Sequence, residues 1–149
     1  MTEPQMIEVT EEVLAKLRKI IKKPFVDAWG VHYQPDGKTL AGLIKLPDGR
    51  WVPFRGNEVF EEIAGKKVEN VAYLHSQKDG TLAGTIKLLD GRWIPFRGNE
   101  VIEEIEGKKI VYAQEIRSKK DGTITGRAKL SDTRWLYFFW DKEGRVIPQ

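Results

Sequence analysis

Short runs of alternating apolar and polar residues, separated by Asp-Gly pairs, make up most of this chain. One stretch contains three such runs, over residues 68–77, 81–89 and 92–96, of which the first is rich in β-branched and aromatic residues. Asp-Gly between two apolar-patterned runs is a strong signal for a β-hairpin. We therefore predict three consecutive antiparallel strands, of which the third is short or lies at a sheet edge because Pro95 lacks a ladder donor. Residues 100–105 (EVIEEI) are compatible with a fourth short strand, but we favour a single helical turn.

The same pattern occurs three times along the chain. Residues 45–58 read KLPDGRWVPFRGNE and residues 87–100 read KLLDGRWIPFRGNE, so the two segments differ at two positions, both apolar. A third copy is recognisable in residues 121–138, about 42 residues after the second, and a period of this length indicates a repeat architecture. We predict an N-terminal helical segment over residues 1–23 and repeats over residues 24–65, 66–107 and 108–149.

The segment before the repeats has the spacing of an amphipathic helix over residues 11–23. Thr10 can cap this helix, and Pro24 can end it. Its basic residues lie on the polar face and near the C-terminal end, where they suit the helix dipole. Its apolar face is formed by Val13, Leu14, Leu17, Ile20 and Ile21. We expect this helix to pack over the open end of the β structure.

These elements predict a mainly β fold, in which three tandem hairpin-rich repeats form one or more small barrels behind one N-terminal amphipathic helix. Threefold repetition of about 42 residues also fits a β-trefoil, whose repeats close around a pseudo-threefold axis. A trefoil needs four strands in each unit, whereas three good strands are visible here. The six-residue segments EVFEEI and EVIEEI would have to supply the fourth strand. Both architectures remain open at this point.

The period of two divides each hairpin into an apolar face and a second face. The apolar face is the predicted core, formed by Leu40, Ile44, Leu46, Val52, Phe54, Leu82, Ile86, Leu88, Ile94, Phe96, Ile124, Ala128, Leu130, Leu136 and Phe138. The second face carries cations and one tryptophan in every copy. Its members are Lys45, Trp51 and Arg55 in the first copy, Lys87, Trp93 and Arg97 in the second, and Arg127, Lys129 and Trp135 in the third.

An aromatic ring beside cations on an exposed sheet is the physical requirement for binding single-stranded nucleic acid. Bases stack on such rings for about 1–3 kcal/mol each, and Lys or Arg neutralises the phosphates. We therefore predict a non-enzymatic binding module for single-stranded RNA or DNA. The net charge of +3, from 25 basic and 22 acidic residues, predicts moderate and salt-sensitive affinity. The alternative is structural, because a repeated Trp can pack between neighbouring units with the Arg stacked on it.

Residues 84–88 (GTIKL), followed after a turn by residues 93–96 (WIPF), resemble the opening of a cold-shock domain. That family begins G-x-[IV]-K-x-[FL] and then places an aromatic-rich strand after a short loop. Residues 107–128 loosely resemble its final two strands. The resemblance implies a small OB-type barrel that binds single-stranded RNA or DNA by stacking and backbone charge. The order of strands and turns is also similar to that of SH3-like and Tudor-like small barrels.

Two other functions remain open. One is a protein-interaction or inhibitor module, for instance a phage- or virus-type factor that docks on a host enzyme. The other follows from the β-trefoil alternative, in which Trp51, Trp93 and Trp135 would stack on sugars of a carbohydrate ligand. The oligomeric state is not predicted, although Pro53 and Pro95 protect edge strands against edge-to-edge pairing.

Enzyme chemistry is not expected from this sequence. It has no cysteine, and His32 and His75, which recur at equivalent positions with Arg117, are too few for a metal site, so we expect no metal and no cofactor. Phosphate-binding, nucleophile-elbow and zinc-protease motifs are all missing. The K-x-D-G string in residues 119–122 fits nucleotidyl transferases, but it coincides with a predicted hairpin turn.

The remaining features concern location and surface charge. There is no apolar run of 18 residues and no secretory-signal pattern at the N-terminus, so we expect a cytoplasmic protein without a membrane partner. The arginines that follow the turns, Arg50, Arg92 and Arg134, are expected to pair with acidic residues of a neighbouring unit. Glu61-Glu62 and Glu103-Glu104 are expected to be solvated rather than catalytic.

Overall fold

Strands dominate the structure, a computed structural model that describes residues 6–149. About half of the chain (51%) is strand and 7% is helical, which confirms the prediction of a mainly β protein with one helix. The first five residues of the predicted N-terminal segment lie outside the described residues. The elements are α1 (Glu11–Ile20), β1 (Asp27–Tyr33), β2 (Leu40–Lys45), β3 (Trp51–Arg55), β4 (Glu58–Val59), β5 (Glu62–Ile63), β6 (Lys66–Lys67), β7 (Asn70–Ser76), β8 (Leu82–Lys87), β9 (Trp93–Arg97), β10 (Glu100–Val101), β11 (Glu104–Ile105), β12 (Lys108–Ser118), β13 (Ile124–Leu130), β14 (Trp135–Trp140) and β15 (Val146–Pro148).

Each repeat forms an antiparallel meander whose strands are neighbours in the order of the chain. The sheets are β1-β2-β3-β4, β7-β8-β9-β10 and β11-β12-β13-β14-β15, with β5 and β6 as a separate small hairpin. One sheet is nearly closed and barrel-like. The Lys–Trp pairs of the three repeats occupy the same register, since Lys45 lies opposite Trp51, Lys87 opposite Trp93, and Lys129 opposite Trp135. The strands predicted over residues 68–77, 81–89 and 92–96 are observed as β7, β8 and β9.

Two expectations for the repeats are corrected. The segments EVFEEI and EVIEEI form paired two-residue strands rather than helical turns, because β4 and β10 pair with the ends of β3 and β9, and β5 and β11 pair with the lysines that follow. The strand order also differs from that of the β-trefoil alternative, because the main strands of the three repeats lie in three separate sheets rather than in one shared barrel.

The helix α1 begins where the sequence predicts, with the Thr10 hydroxyl accepting a hydrogen bond from the Val13 amide at 3.2 Å. It ends at Ile20 rather than at residue 23, so the predicted end is three residues too late. Ile21 is already extended (φ −90°, ψ 117°), and this conformation buries its side chain to 2% exposure. The helical conformation is also disfavoured at Lys23, because this residue precedes Pro24.

Every repeat bends its first strand with a β-bulge at the same position. The bulge places Gly30, Tyr73 and Glu115 in the left-handed region, at φ of 63°, 57° and 57°. The bulged strand then approaches the second strand so closely that a Cβ on Gly84 would lie 2.7 Å from the Ala72 carbonyl oxygen. The equivalent Gly42 is equally restricted by the backbone of Val31, at 2.9 Å. A glycine is therefore required in the second strand of these repeats.

The three sheets are stacked in chain order. Strand β7 packs on β3 and β2 of the preceding repeat, and β12 packs on β9, β8 and β7. The predicted core is confirmed, since its members are buried in one continuous cluster, with Leu136 packed partly buried against it. Leu14, Leu17 and Ile21 of the helical segment belong to the same cluster. Helix α1 therefore packs against the β structure through its apolar side chains.

Candidate binding face

The second face of the first repeat, defined above by Lys45, Trp51 and Arg55 and called the outer face below, is largely an interface between repeats. His32 lies on this face, and its Nε2 is 2.7 Å from the Ser76 hydroxyl of the second repeat. The Gln34 amide donates to the same hydroxyl at 3.2 Å and to the Gly80 carbonyl at 2.6 Å. These contacts hold the first repeat to the hairpin of the second.

The same set of contacts joins the second repeat to the third. His75 Nε2 is 2.6 Å from the Ser118 hydroxyl, and Gln77 donates to that hydroxyl at 2.9 Å and to the Gly122 carbonyl at 3.1 Å. Because Nδ1 of His75 lies 2.9 Å from the Tyr73 carbonyl, which only accepts, Nδ1 carries the proton and the serine donates to Nε2. Burial lowers the pKa of His75, against a smaller opposing effect of that carbonyl bond.

A serine hydroxyl bonded to an oriented histidine is also the geometry of nucleophilic catalysis. Here the arrangement occurs twice, each time inside a packed interface. His32 is 3% exposed, and the Ser76 oxygen already accepts a hydrogen bond from Gln34. The two histidines, which the sequence analysis considered only as metal ligands, therefore hold neighbouring repeats together.

The structure corrects one member of the predicted binding set. Arg97 is only 7% exposed, and its guanidinium donates to the carbonyls of Gly122 (3.1 Å), Trp140 (3.2 Å) and Asp141 (2.8 Å). It also stacks on the Trp140 ring at 4.3 Å. Arg97 is therefore a structural residue, and a phosphate would have to replace three carbonyl contacts to reach it. Its equivalent Arg55 is half-buried and makes a single such bond, to the Gly80 carbonyl at 3.2 Å.

The other predicted residues of the first two repeats lie at the opposite end of the outer face. Lys45, Trp51, Lys87 and Trp93 are all half-buried. Trp51 packs against the hydrophobic core. All four side chains are partly exposed to solvent, but the Trp51 ring is already used in packing.

The outer face of the third repeat is more exposed than the outer faces of the first two repeats. The second strands of the first two repeats are buried on both faces over five of six residues, whereas β13 alternates strictly between buried and half-buried positions. The outer face of the third repeat is therefore open, and it keeps three of the predicted residues together: Arg127 and Lys129, both half-buried, and Trp135, which is 42% exposed.

Aromatic side chains that the sequence analysis did not select surround these three residues. Tyr112 lies edge-on to Trp135 with 6.2 Å between ring centroids, and Tyr137 is 58% exposed. The Arg127 guanidinium lies over both Trp135 (5.0 Å) and Tyr137 (5.5 Å), and its one nearby carboxylate is that of Glu115, at 3.9 Å. We call Tyr112, Arg127, Lys129, Trp135 and Tyr137 the open face.

Three further side chains extend the open face, namely Phe139 on β14, Arg117 on β12 and Lys119 after β12. The ammonium group of Lys119 lies 4.9 Å from the Phe139 ring centroid. Arg117 is exposed, and its Cα lies opposite Thr125, which pairs in turn with Phe139. Cations and aromatic rings therefore lie side by side on the part of the third sheet formed by β12, β13 and β14.

The arginines that follow the turns pair with the aspartate of their own turn, and not with acidic residues of a neighbouring unit as expected. Arg50 donates to Asp48 at 2.9 Å and to Glu61 at 2.7 Å, and the Arg50 hydrogen bond lowers the pKa of Asp48. Arg92 pairs in the same way with Asp90 and, at 3.4 Å, with Glu103. The glutamates expected to be solvated are thus partly engaged. Arg134 pairs with Asp132, inside its own turn.

Comparison with protein-family models, with curated proteins and with solved structures found no significant match. The resemblance to cold-shock domains and to other small barrels therefore stays a prediction. Within the part of the chain that the structure describes, no helix is long and apolar enough to cross a membrane. Residues 6–149 also contain no group of three or more His, Asp or Glu side chains that could hold a metal ion.

Proposed function

We propose that this chain is a non-enzymatic binding module for single-stranded nucleic acid and that the open face of the third repeat is its principal contact. One observation carries the proposal. The outer faces of the first two repeats are covered by the next repeat, whereas the equivalent face of the third repeat exposes Trp135, Tyr137 and Tyr112 at 42%, 58% and 38%. Exposed rings of this size on a sheet are otherwise unfavourable in water.

The spacing of the rings suits an extended strand of nucleotides. Trp135 and Tyr137 are two residues apart on one face of β14, which separates their Cα atoms by about 7 Å. The Arg127 guanidinium lies over both rings and can itself stack on a base. Two adjacent bases would then contact one continuous surface.

The charge of the open face supports the same ligand. Lys129, Arg127 and Arg117 lie on one side of the sheet, and Glu115 is the acidic residue in contact with them. Three phosphate contacts on a single strand predict that the logarithm of the affinity falls with the logarithm of salt concentration with a slope of about −2. This is the moderate, salt-sensitive binding that the net charge of +3 allows.

The test is fluorescence anisotropy with labelled single-stranded DNA and RNA oligonucleotides, measured over a range of salt concentrations. Trp135→Ala removes one stacking platform and should weaken the affinity by about 5-fold to 150-fold. Trp29→Ala is the matched control because Trp29 is the most exposed tryptophan, at 70%, and lies in the first repeat. Its affinity should equal that of the unmodified protein.

Two results would contradict the proposal. The first is an unchanged oligonucleotide affinity in a Trp135→Ala variant whose circular dichroism spectrum is unaltered. The second is binding that does not depend on salt, because the cations of the open face would then contribute nothing to it.

A protein partner is the second candidate, and a specific observation favours it. Tyr, Trp and Arg, the residues of the open face, are also the residues enriched at the centres of protein interfaces. In addition, β15 is the last strand of its sheet and exposes Ile147 at 45%, so a partner strand could extend the sheet there. Association that persists after nuclease treatment and depends on Trp135 would favour this function instead.

A further inference from the structure

A cavity of about 210 Å³ lies between the first and second repeats, away from the open face. The first repeat contributes Pro53 and Arg55 to its lining, and the second contributes Leu82 and Phe96. Phe60, Ile63, Gly98 and Asn99 complete the wall. The cavity is mostly apolar, and its charged group is the Arg55 guanidinium.

The equivalent space between the second and third repeats is occupied by a side chain of the chain itself. Gly98 donates its amide to the Leu82 carbonyl at 2.8 Å, and Trp140 lies opposite Ile124, which is the third-repeat equivalent of Leu82. Trp140 therefore stands where Gly98 stands one repeat earlier. Its indole ring is 2% exposed, with the guanidinium of Arg97 at 4.3 Å above the ring.

Arg97 and Arg55 occupy equivalent positions, but only Arg97 has an indole ring beside it, because Gly98 takes the place of Trp140 next to Arg55. Arg97 makes three carbonyl contacts and is almost completely buried, whereas Arg55 makes one carbonyl contact and has a side chain that is 34% exposed. Without an indole beneath it, Arg55 lies 5.7 Å from the centroid of Phe60 and pairs with the exposed Glu58 at 3.2 Å. The guanidinium that would stack on a ring is thus already present beside the cavity.

We propose that this cavity is a binding site for a small planar aromatic molecule of about the size of indole, stacked against Arg55 as Trp140 is stacked against Arg97. The size fits, because an apolar cavity of about 150 Å³ is enough to bind benzene. The site shares no residue with the open face. It therefore goes beyond the proposed nucleic-acid function and can be tested independently of it.

The experiment titrates indole into the ¹³C-methyl-labelled full-length protein and follows the methyl signals by NMR. Saturable shifts of the Ile63 and Leu82 methyl groups, with one indole bound per chain, are expected. The absence of saturable shifts at these two residues up to millimolar indole would overturn the proposal. Saturable shifts confined to the third repeat would overturn it too, because they would locate the ligand elsewhere.

Two variants test the position and the stacking. Leu82→Trp supplies a ring to the cavity from the protein itself and should abolish indole binding, whereas Leu89→Trp adds the same ring at a site that is 70% exposed and should leave binding unchanged. Indole binding retained by folded Leu82→Trp would refute the location. Should Leu82→Trp fail to fold, Arg55→Met is decisive. It keeps the apolar stem and should weaken binding about 3-fold to 30-fold, and unchanged affinity would refute stacking on Arg55.

Discussion

Replacing Arg97 by Met and Arg55 by Met makes the same chemical change at two equivalent positions, and we predict very different losses of stability. Arg97 is 7% exposed, stacks on Trp140 at 4.3 Å and donates to three main-chain carbonyls, of which the contact with the Trp140 carbonyl is fully buried. Arg55 donates to one part-buried carbonyl and to an exposed carboxylate. The comparison isolates the environment, because methionine preserves the apolar stem in both variants.

The magnitudes follow from these contacts. For Arg97→Met, loss of a desolvated cation–π contact costs up to about 2 kcal/mol and a buried carbonyl left without a donor costs about 1–3 kcal/mol. Relief from burying the guanidinium offsets part of this cost, so we expect a net loss of about 2–4 kcal/mol. For Arg55→Met, one exposed ion pair and one hydrogen bond to a carbonyl that water can reach predict a loss of about 0.5–1 kcal/mol.

Urea denaturation followed by circular dichroism measures both losses. With a slope of about 2 kcal/mol per molar urea, Arg97→Met should lower the midpoint by about 1–2 M and Arg55→Met by about 0.3–0.5 M. A lower slope in Arg97→Met alone would indicate that the third repeat unfolds separately, as arrays of stacked repeats can do. Equal losses in the two variants would refute the conclusion that Arg97 is structural and that Arg55 is held loosely.

Two further predictions concern the strands and the histidine contacts. Gly84→Ala places a methyl group 2.7 Å from the Ala72 carbonyl and should cost about 1–3 kcal/mol in the same urea assay, whereas Gly49→Ala, in an open turn, tests only the left-handed conformation and should cost less. For His75, burial holds the pKa of the folded state below its ordinary value of 6.5. The unfolded chain therefore binds this proton more tightly than the folded protein. The stabilisation that neutral His75 contributes to the free energy of unfolding is fully present above pH 6.5 and is lost as the pH falls below it. Thermal unfolding between pH 7.5 and 5 should show a smaller decrease for His75→Gln than for the unmodified protein, and identical decreases would contradict the assignment.

Local signals in the sequence were sufficient for the strands, the hairpin turns and the start of the helix. Asp-Gly pairs and a period of two depend on a few neighbouring residues, so β7 and β8 lie within the predicted ranges and β9 ends one residue beyond its range. The end of the helix and the segments EVFEEI and EVIEEI depend on tertiary packing. Ile21 leaves the helix to enter the core, and β4 forms only because it meets the end of β3.

The outer faces were harder to interpret, because a period of two separates two faces without showing which one a neighbouring sheet covers. A signal was nevertheless present in the sequence. His32 and His75 occur in the first two repeats, whereas their partners Ser76 and Ser118 occur in the last two. When one partner of a contact occurs in a repeat and the other partner occurs in the next repeat, each unit is expected to stack on the next. By the same reasoning, Arg97 could have been assigned to an interface.

The same displacement of partner residues by one repeat also explains why the outer face of the third repeat differs from those of the first two. An outer face that carried the histidine, the glutamine and the arginine would be complementary to another repeat and could bind one. The third repeat has Arg117 in place of the histidine, Lys119 in place of the glutamine and Phe139 in place of the arginine. These three side chains stand where the first two repeats have the residues that bond to the next repeat. The open face therefore lacks the hydrogen-bonding groups of the two repeat interfaces. Trp135 and Tyr137 are exposed on this face, which is the physical basis for our proposal that it binds a ligand.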